Sequence, residues 1–291
     1  MKSIILAGGS GSRLYPMTEV ISKQLQPIYD KPMIYYPLSI LMLAGIKDIL
    51  IISTQRDTPF MESLFGDGSR LGINIQYKVQ ESPKGLADAF IVGKEFLSGE
   101  DVTMILGDNL FYGDLTFYRR AIENFQSPHR DHNATIFGYH VDDPARYGVV
   151  NFDKQTNKVI DIEEKPEKPK SNYAIPGLYI FDKSVTERAA TQKPSPRGEL
   201  EITDLMESYL KEGQLKLEPI GRGVTWLDTG TPNALLEAAN LISSIQRRQG
   251  SLVACLEEVA FIKGFIDKTG LENAIESLPQ STYRDYLNTI I

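Results

Sequence analysis

Short apolar runs alternate with helical repeats through the first half of the chain. Four short segments have the apolar content of strands, at residues 1–7, 49–52, 73–79 and 103–106, and the first and second contain continuous aliphatic runs typical of strands buried on both faces. Three segments between them repeat apolar residues at the spacing of a helix, at residues 38–44, 59–65 and 86–97. Gly45 stands where the first of these helices would end. The alternation predicts a Rossmann-like α/β fold with a doubly wound, mostly parallel sheet, whose ligand site lies at the carboxyl ends of the strands.

The second half of the chain has a different pattern. Residues 149–152 and 159–162 are joined by a polar turn and predict a β-hairpin, and residues 173–181 predict a further strand. From Thr231 onward apolar residues recur at helical spacing up to Gly250, and the tail beyond it also has a helical pattern. The predicted units are an α/β core at 1–230, with halves at about 1–110 and 111–230, and a C-terminal helical region at 231–291.

The composition narrows the classes of partner. The 291 residues are 42% hydrophobic and 24% charged, which is ordinary for a globular protein. The formal charge of −7 argues against a nucleic acid or an anionic membrane as the partner, and no apolar run approaches the roughly 20 residues that a membrane span needs. The single cysteine, Cys255, excludes an internal disulfide and suits a reducing compartment. We therefore expect a cytoplasmic protein.

The first strand runs directly into a glycine-rich turn at residues 8–13, with the sequence GGSGSR, and Lys23 follows ten residues later. Glycines let the backbone turn sharply and bring bare N–H groups close to a phosphate, while Arg13 and Lys23 would supply cations. A polyphosphate is the predicted ligand, although similar turns occur in α/β proteins that bind none. The turn lacks the Gly-Lys-Ser/Thr ending of a Walker A loop, and Leu14 replaces the third small residue of a dinucleotide fingerprint.

Carboxylates follow two later strands. Asp108 comes just after the run at 103–106, and Asp228 follows the run at 224–227. A single Asp at a strand end is more often a turn former than a ligand, because it hydrogen-bonds its own backbone. Two carboxylates delivered by separate strands beside a polyphosphate site can instead share Mg²⁺, which prefers oxygen ligands and completes its shell with phosphates.

Three segments resemble the signature of the sugar-1-phosphate nucleotidylyltransferases: LAGGSGSRL at 6–14, SKQL at 22–25 and YDKPM at 29–33. The similarity extends over nearly the whole chain and is strongest to members that use dTTP and glucose 1-phosphate. It implies transfer of dTMP from dTTP to α-D-glucose 1-phosphate, with dTDP-glucose and pyrophosphate as products and Mg²⁺ as the cofactor. In that family this is the first step towards dTDP-deoxysugars such as dTDP-L-rhamnose.

The resemblance also implies roles for individual residues. Those on the nucleotide are Gly8, Gly9, Gly11, Ser12, Arg13, Lys23, Gln24, Gln80, Gly85 and Asp108. Those on the sugar phosphate are Tyr147, Gly148, Glu164, Lys165, Ile175, Gly177, Arg197 and Glu199. The implied metal ligands are Asp108 and Asp228. The catalytic residues would be Arg13 and Lys23, which hold the triphosphate, and Lys165, which aims the sugar phosphate.

Some of these assignments depend on the resemblance alone. Without it, Gln80 and the charged run at 163–165 would be interpreted as solvated loop residues. With it, the Gln80 amide could pair with the O4 and N3–H edge of thymine or uracil. Lys84 and Asp88 stand where the family pattern has an acid and an amide, so strict base selectivity is not predicted. Pro176 is a further departure, inside the predicted floor of the sugar pocket.

The tail resembles a family segment that forms a second nucleotide-sugar site between subunits. The residues concerned are Arg222, Val253, Cys255 and Glu257. The resemblance implies feedback inhibition by dTDP-rhamnose and a homotetramer. For the apolar segment at 250–257, the sequence leaves three interpretations open: a ligand contact, a subunit contact or part of the core.

Two other classes of protein stay open on the residues. A glycosyltransferase could share the fold and the metal carboxylates, but it needs no triphosphate loop and usually holds its metal through an Asp-x-Asp element, which is missing at 108–109 and 142–143. A non-catalytic nucleotide-sugar sensor would bind the product without turnover. The presence of both aspartates and of all four cations, Arg13, Lys23, Lys165 and Arg197, favours an enzyme.

Overall fold

A computed structural model describes residues 1–9 and 11–291, so Ser10 of the glycine-rich turn lies outside the described residues. The strands are β1 Lys2–Ala7, β2 Pro27–Ile28, β3 Lys31–Pro32, β4 Asp48–Ser53, β5 Asn74–Val79, β6 Val102–Leu106, β7 Asn109–Gly113, β8 Ala134–His140, β9 Gly148–Phe152, β10 Val159–Glu164, β11 Tyr173–Ala174, β12 Leu178–Phe181, β13 Leu215–Pro219 and β14 Val224–Asp228. The helices are α1 Tyr35–Leu43, α2 Thr58–Phe65, α3 Asp88–Val92, α4 Lys94–Leu97, α5 Thr116–Phe125, α6 Val185–Thr191, α7 Ile202–Lys211, α8 Pro232–Gln249, α9 Leu256–Ile262, α10 Lys268–Ser277 and α11 Thr282–Leu287.

Ten of these strands form one sheet, in the order β10-β9-β11-β8-β12-β6-β1-β4-β5 with β13 beside β8. Strands β6, β1, β4 and β5 run parallel, in a register that places Leu6 between Ile52 and Leu106. Strand β12 joins them to the second half of the sheet through antiparallel pairs with β6 and β8. The four parallel strands therefore end at one edge of the sheet, as the hydrophobic pattern predicts.

Alternate residues of the parallel strands pack on opposite faces of the sheet. In β1, Ile5 and Ala7 join a core with helices α1, α2, α5 and α9, whereas Ile4 and Leu6 join a second core with α3, α4, α6 and α7. All four side chains are buried. Burial on both faces explains the apolar runs of β1, β4 and β6, whereas the edge strand β5 alternates apolar and polar residues. The predicted doubly wound α/β fold is confirmed.

A separate two-stranded ribbon stands beside the main sheet. Strand β7 pairs antiparallel with β14, from Gly113 beside Val224 to Asn109 beside Asp228. Only Gly107 and Asp108 separate β6 from β7. The ribbon therefore carries the end of β14 to the carboxyl edge of the parallel strands, where the two predicted metal ligands meet.

The C-terminal helices pack on the α/β part of the chain. Helix α8 begins at Thr231, whose side-chain oxygen accepts the Ala234 N–H, and it ends at Gly250 with a φ of 68°, as predicted. Helix α9 buries Leu256 and Val259 in the same core as α1. The division of the chain into a core and a helical region stays a prediction. Within the described residues, no helix combines the length and the apolar character needed to cross a membrane.

Two elements that the pattern predicts as continuous are divided in the structure. The helix at 86–97 is α3 followed by α4, which meet at Gly93, where a Cβ atom would lie 3.1 Å from side chains of β1 and β4. The strand at 173–181 is β11 followed by β12. The break between them contains Pro176, which has no N–H to donate, and Gly177, where a Cβ atom would lie 2.4 Å from a side chain of β6. The continuous elements were wrong because close packing against the sheet fixes both breaks.

Candidate active site

Two adjoining clefts collect the predicted site residues at the carboxyl edge of the parallel strands. The larger, of 570 Å³, is lined by Gly9, Gly11, Ser12, Arg13, Lys23, Gln24, Asp108, Tyr147, Gly148, Glu164, Lys165, Ile175, Gly177, Arg197, Glu199 and Asp228. The smaller, of 260 Å³, is lined by Gly8, Gln80 and Gly85 and shares Gly9, Gln24, Asp108 and Glu199 with the larger. Every residue predicted to bind dTTP, glucose 1-phosphate or Mg²⁺ at the first site therefore borders one of these two adjoining clefts.

Gly11 of the glycine-rich turn is fixed by its contacts with Thr18. Gly11 has a φ of 62°, in the left-handed region, and its carbonyl oxygen accepts the Thr18 hydroxyl at 2.9 Å. A Cβ atom at this position would lie 2.7 Å from the Thr18 methyl group. The following 3₁₀ turn buries Leu14 completely. Only glycine suits position 11, because both the backbone angle and the lack of space exclude a side chain.

Arg13 crosses from this turn to the β7/β14 ribbon. Its guanidinium lies so close to Gly230 that a Cβ atom there would be 2.9 Å from Arg13 Nη2. The same imagined atom would lie 3.0 Å and 3.1 Å from the two carboxylate oxygens of Asp228. The turn therefore places a cation beside the second predicted metal ligand.

Lys23 bridges the two predicted metal ligands. Its ammonium lies 2.5 Å from Asp108 Oδ2 and 3.9 Å from Asp228 Oδ1, and only 7% of its side chain is exposed. The two acids arrive from different strands, since Asp108 precedes β7 and Asp228 ends β14. Strand pairing therefore brings together two carboxylates that are far apart in sequence, and Lys23 neutralises part of their charge.

The two carboxyl groups have different electrostatic environments. Burial favours the neutral form of Asp108, but the adjacent Lys23 ammonium outweighs that effect and holds the pKa of Asp108 below its usual value. Burial raises the pKa of Asp228, and the negative charge of Asp108 raises it further, while Lys23 and Arg13 only partly offset this. A pair that repels in this way favours the binding of a further cation.

The donor set fits Mg²⁺ shared with a phosphate. In residues 1–9 and 11–291, no group of three or more His, Cys, Asp and Glu residues is placed to hold a metal ion. Asp108 and Asp228 offer two hard oxygen ligands that line the same cleft. Mg²⁺ typically binds through one or two carboxylates and takes its other ligands from water and substrate phosphates.

Asn109 connects Asp108, a predicted metal ligand, to residues on the predicted sugar side of the cleft, and the sequence predicted no role for it. Its side-chain nitrogen donates to Asp108 Oδ1 at 2.9 Å, and its oxygen accepts from the Gly177 N–H at 3.0 Å and from the Trp226 indole N–H at 2.6 Å. Only its position beside Asp108 pointed to it. The side chain is 4% exposed, so these bonds form away from solvent.

The sugar side combines charges of both signs. Lys165 has a φ of 43°, and its ammonium lies 3.1 Å from Glu164. The Arg197 guanidinium binds Glu201 at 2.8 Å and lies 3.7 Å from both Glu164 and Glu199. Glu201 was not predicted. In this structure Arg197 is held by three acids, so its predicted role as a phosphate ligand requires the exchange of one of these contacts.

The residues of the predicted second site are less uniform in their exposure. Arg222 is exposed on the loop between β13 and β14, and Val253 is half-buried. Cys255 lies in a small core with residues of α10 and α11. Glu257 is also buried, and it accepts the Tyr283 hydroxyl at 2.5 Å. Of the alternatives left open for this segment, Cys255 and Glu257 belong to the core, because their side chains are buried within their own chain. A regulatory role for the four residues stays a prediction.

Comparison with known proteins agrees with this site. A family model described as nucleotidyl transferase matches residues 2–244. Because that match covers most of the chain, the protein belongs to the nucleotidyl transferase family, a family of enzymes, as its motifs predict.

Relatives that match over nearly their full length carry a more specific name than the family model does. A Xanthomonas campestris protein is 57% identical over 99% of this chain and 96% of its own length, and it is named glucose-1-phosphate thymidylyltransferase. Proteins of the same name are 51% identical in Neisseria gonorrhoeae, over 100% of this chain and 99% of that one, and 49% identical in Mycobacterium tuberculosis, over 99% and 98%.

Solved structures share the fold. A Bacillus anthracis protein in complex with sucrose superposes with a TM-score of 0.76 at 41% identity, over 83% of this chain and 94% of that one. UDP-glucose pyrophosphorylase in complex with UDP-glucose gives a TM-score of 0.73 at 25% identity, over 84% and 98%. The α/β fold is thus common to nucleotidyl transferases with different named nucleotides.

Proposed function

We propose that this protein transfers dTMP from dTTP to α-D-glucose 1-phosphate, giving dTDP-glucose and pyrophosphate. One observation carries the proposal: a single cleft is lined by Arg13 and Lys23, by Glu164 and Lys165, and by the carboxylates of Asp108 and Asp228. Such a cleft can hold a triphosphate and a sugar phosphate at the same time. The names of full-length relatives support the choice of these two substrates.

The reaction requires the protein mainly to position the two substrates and to neutralise the charge of their phosphates. The phosphate of glucose 1-phosphate is already an anion, so it attacks the α-phosphorus of dTTP in line without a general base. Arg13 and Lys23 bind the triphosphate and neutralise the charge that develops on the departing pyrophosphate. Lys165 orients the attacking phosphate. Holding both substrates in this alignment supplies much of the rate enhancement, and no covalent intermediate forms.

Asp108 and Asp228 are the residues that would hold Mg²⁺. When bound, the ion polarises phosphoryl oxygens and neutralises charge on the triphosphate. The support comes from the chain itself, because the two carboxylates repel each other and Lys23 contacts both. Asn109 fixes the direction of Asp108 through a hydrogen bond of 2.9 Å.

The proposal extends to the setting of the enzyme. We expect a cytoplasmic homotetramer that begins dTDP-deoxysugar synthesis and is inhibited by dTDP-rhamnose through Arg222 and Val253. Light scattering on the purified protein tests the tetramer. Inhibition that is unchanged in Arg222→Ala would remove Arg222 from the regulatory site.

The test of the reaction is pyrophosphate release from dTTP with and without glucose 1-phosphate, in Mg²⁺ and in EDTA. We expect release only with both substrates and the metal, and a fall of about 100-fold or more in Asp108→Asn. Asp285→Asn is the matched control, because Asp285 is an exposed carboxylate on α11. Release without the sugar phosphate would indicate a hydrolase instead. Binding of dTDP-glucose without any release would indicate a sensor.

A further inference from the structure

Among the side chains that line the smaller cleft, Gln80 has an amide that can recognise the edge of a base. Gln80 follows β5 and is 8% exposed, and it lines the 260 Å³ cleft together with Gly8 and Gly85. Its backbone N–H donates to the Ser53 carbonyl oxygen at 2.8 Å, which fixes the residue at the end of the sheet. The direction of its side-chain amide therefore decides what this cleft can bind.

Asp88 determines that direction. The Gln80 side-chain nitrogen donates to Asp88 Oδ2 at 2.7 Å, and its next nearest acceptor is the Gly85 carbonyl oxygen at 3.5 Å. A carboxylate can only accept a hydrogen bond, so the NH₂ end of the amide must face Asp88. The amide oxygen then points the opposite way, towards Gly8, where a Cβ atom would lie 3.0 Å from Gln80 Oε1.

Asp88 is itself held firmly. It is the first residue of α3 and is 7% exposed. Its neighbours Ala87 and Ala89 are fully buried in the core on this face of the sheet, and the Ala87 N–H donates to the Leu200 carbonyl oxygen at 3.2 Å. The backbone that carries the Asp88 carboxylate is therefore fixed beside Gln80.

We infer that Asp88 is a positioning residue that sets base selectivity, by holding Gln80 with its carbonyl oxygen towards the base. This inference rests on the proposed function. An oxygen in that position accepts the N3–H that thymine and uracil both carry. Cytosine has a lone pair at N3, so two acceptors would face each other and the complex would be disfavoured. The arrangement rejects cytosine nucleotides and does not separate thymine from uracil.

The test compares kcat/KM for dTTP, UTP and dCTP in the unmodified protein, Asp88→Asn and Asp88→Glu. An Asn at position 88 can donate as well as accept, so Gln80 is free to turn its amide and present an N–H to cytosine N3. In Asp88→Asn we expect the dTTP-to-dCTP ratio to fall about tenfold or more, which corresponds to one mismatched hydrogen bond. The dTTP-to-UTP ratio should stay within about twofold. Asp88→Glu keeps an acceptor-only group and should keep both ratios.

Ratios are measured on the same folded molecules, so partial misfolding of a variant does not change them. An unchanged dTTP-to-dCTP ratio in Asp88→Asn would overturn the inference, as would an equal change in the dTTP-to-UTP ratio. If the unmodified protein turned over no nucleotide, the proposed function would fail. The ratio of dTTP to dCTP dissociation constants, followed through the fluorescence of the single tryptophan Trp226 in the larger cleft, would then decide the inference.

Discussion

The side-chain oxygen of Asn109 accepts the indole N–H of Trp226 at 2.6 Å. The same amide contacts Asp108 and Gly177, so one buried side chain orients a predicted metal ligand, the predicted floor of the sugar pocket and an aromatic wall of the cleft. A polar network of this kind holds its members precisely only while every donor and acceptor is paired. A structural change near Gly177 would therefore reach Asp108, a predicted metal ligand, through Asn109.

Replacing Asn109 by Asp separates these contacts. The variant keeps an acceptor for the Trp226 and Gly177 N–H groups, but it places a second carboxylate beside Asp108 where a donor stood. We expect kcat/KM for pyrophosphate release to fall about 10- to 100-fold, because a charge-assisted hydrogen bond is exchanged for repulsion. The emission maximum of Trp226 should not move. In Asn109→Leu, which also leaves the indole N–H unpaired, the emission should shift, and an unaltered rate in Asn109→Asp would contradict the network.

Asp57 and Arg56 hold the segment that precedes Lys23. Asp57 is fully buried and accepts the Ser22 N–H at 3.1 Å, and Arg56 donates to the Glu19 carbonyl oxygen at 3.0 Å. Removing this support should leave the lysine and the nearby glycine-rich turn less fixed. We expect KM for dTTP to rise several-fold in Arg56→Ala while KM for glucose 1-phosphate stays constant. Asp57→Ala should also lower the free energy of unfolding by about 2 kcal/mol, because it leaves a buried N–H unpaired.

The matched control for Arg56→Ala is Lys78→Ala. Lys78 forms an exposed ion pair with Glu95 at 2.8 Å, and its side chain is 43% exposed against 46% for Arg56. Both variants remove one surface cation with similar solvent access. If the two raised KM for dTTP equally, the effect would be one of net charge and not of support for Lys23.

His132 should make stability depend on pH. Burial lowers its pKa below the ordinary value of 6.5, against the raising effect of Asp131, and the ring packs edge-on against Phe125 at 5.4 Å. Between the lowered pKa and 6.5 the unfolded chain binds more protons than the folded one, so the free energy of unfolding falls as pH drops through that window. Urea titrations at pH 5.5 and 7.5 should show a smaller difference in His132→Gln, and a folded-state His132 that titrates at or above 6.5 by NMR would refute the prediction.

Cys255 should be unreactive while the protein is folded. Burial raises the pKa of its thiol to about 12, and the thiolate is the reactive form. We expect labelling by a thiol reagent such as DTNB to be negligible in buffer and complete in denaturant. Tyr283→Phe should speed labelling in buffer, because the Tyr283 hydroxyl bonds Glu257 at 2.5 Å and closes this core. Fast labelling of the unmodified protein would show that the tail opens readily.

The parallel strands were predictable because a strand buried on both faces is mainly apolar, and β1, β4 and β6 each contain an uninterrupted apolar run. The helix that follows Thr231 was predictable from its cap and spacing. The β7/β14 ribbon was not, since each of its strands has a partner that lies far away in sequence. For the same reason the predicted continuous elements at 86–97 and 173–181 failed, because their breaks are set by the backbone's distance from the sheet.

For the site residues too, the predictions succeeded where the signal is local and failed where it depends on a distant partner. Residues whose chemistry is local, such as Arg13 and Lys23 beside the glycine-rich turn, were found from the sequence. Residues that act through a distant partner were missed, because nothing near Asn109 indicates Trp226 and nothing near Glu201 indicates that it holds Arg197. Asp88 stood out only as a departure from the family pattern. The structure shows that Asp88 accepts a hydrogen bond from Gln80, a contact that the sequence did not indicate.

The pairing of β7 with β14 limits how the distance between Asp108 and Asp228, the predicted metal ligands, can change. Thr229 donates to the Asp108 carbonyl oxygen through its hydroxyl at 2.8 Å and its N–H at 3.3 Å, so the ladder of main-chain bonds continues past the ribbon to the two carboxylates. Their spacing is therefore a property of the backbone, and substitutions around them alter charge and direction but leave the width of the gap fixed. A larger ion that needs more ligands could be accommodated only by a new strand register. A slip of one residue would turn Asp228 to the opposite face of the ribbon. Single substitutions therefore cannot change the distance between the two carboxylates in small steps.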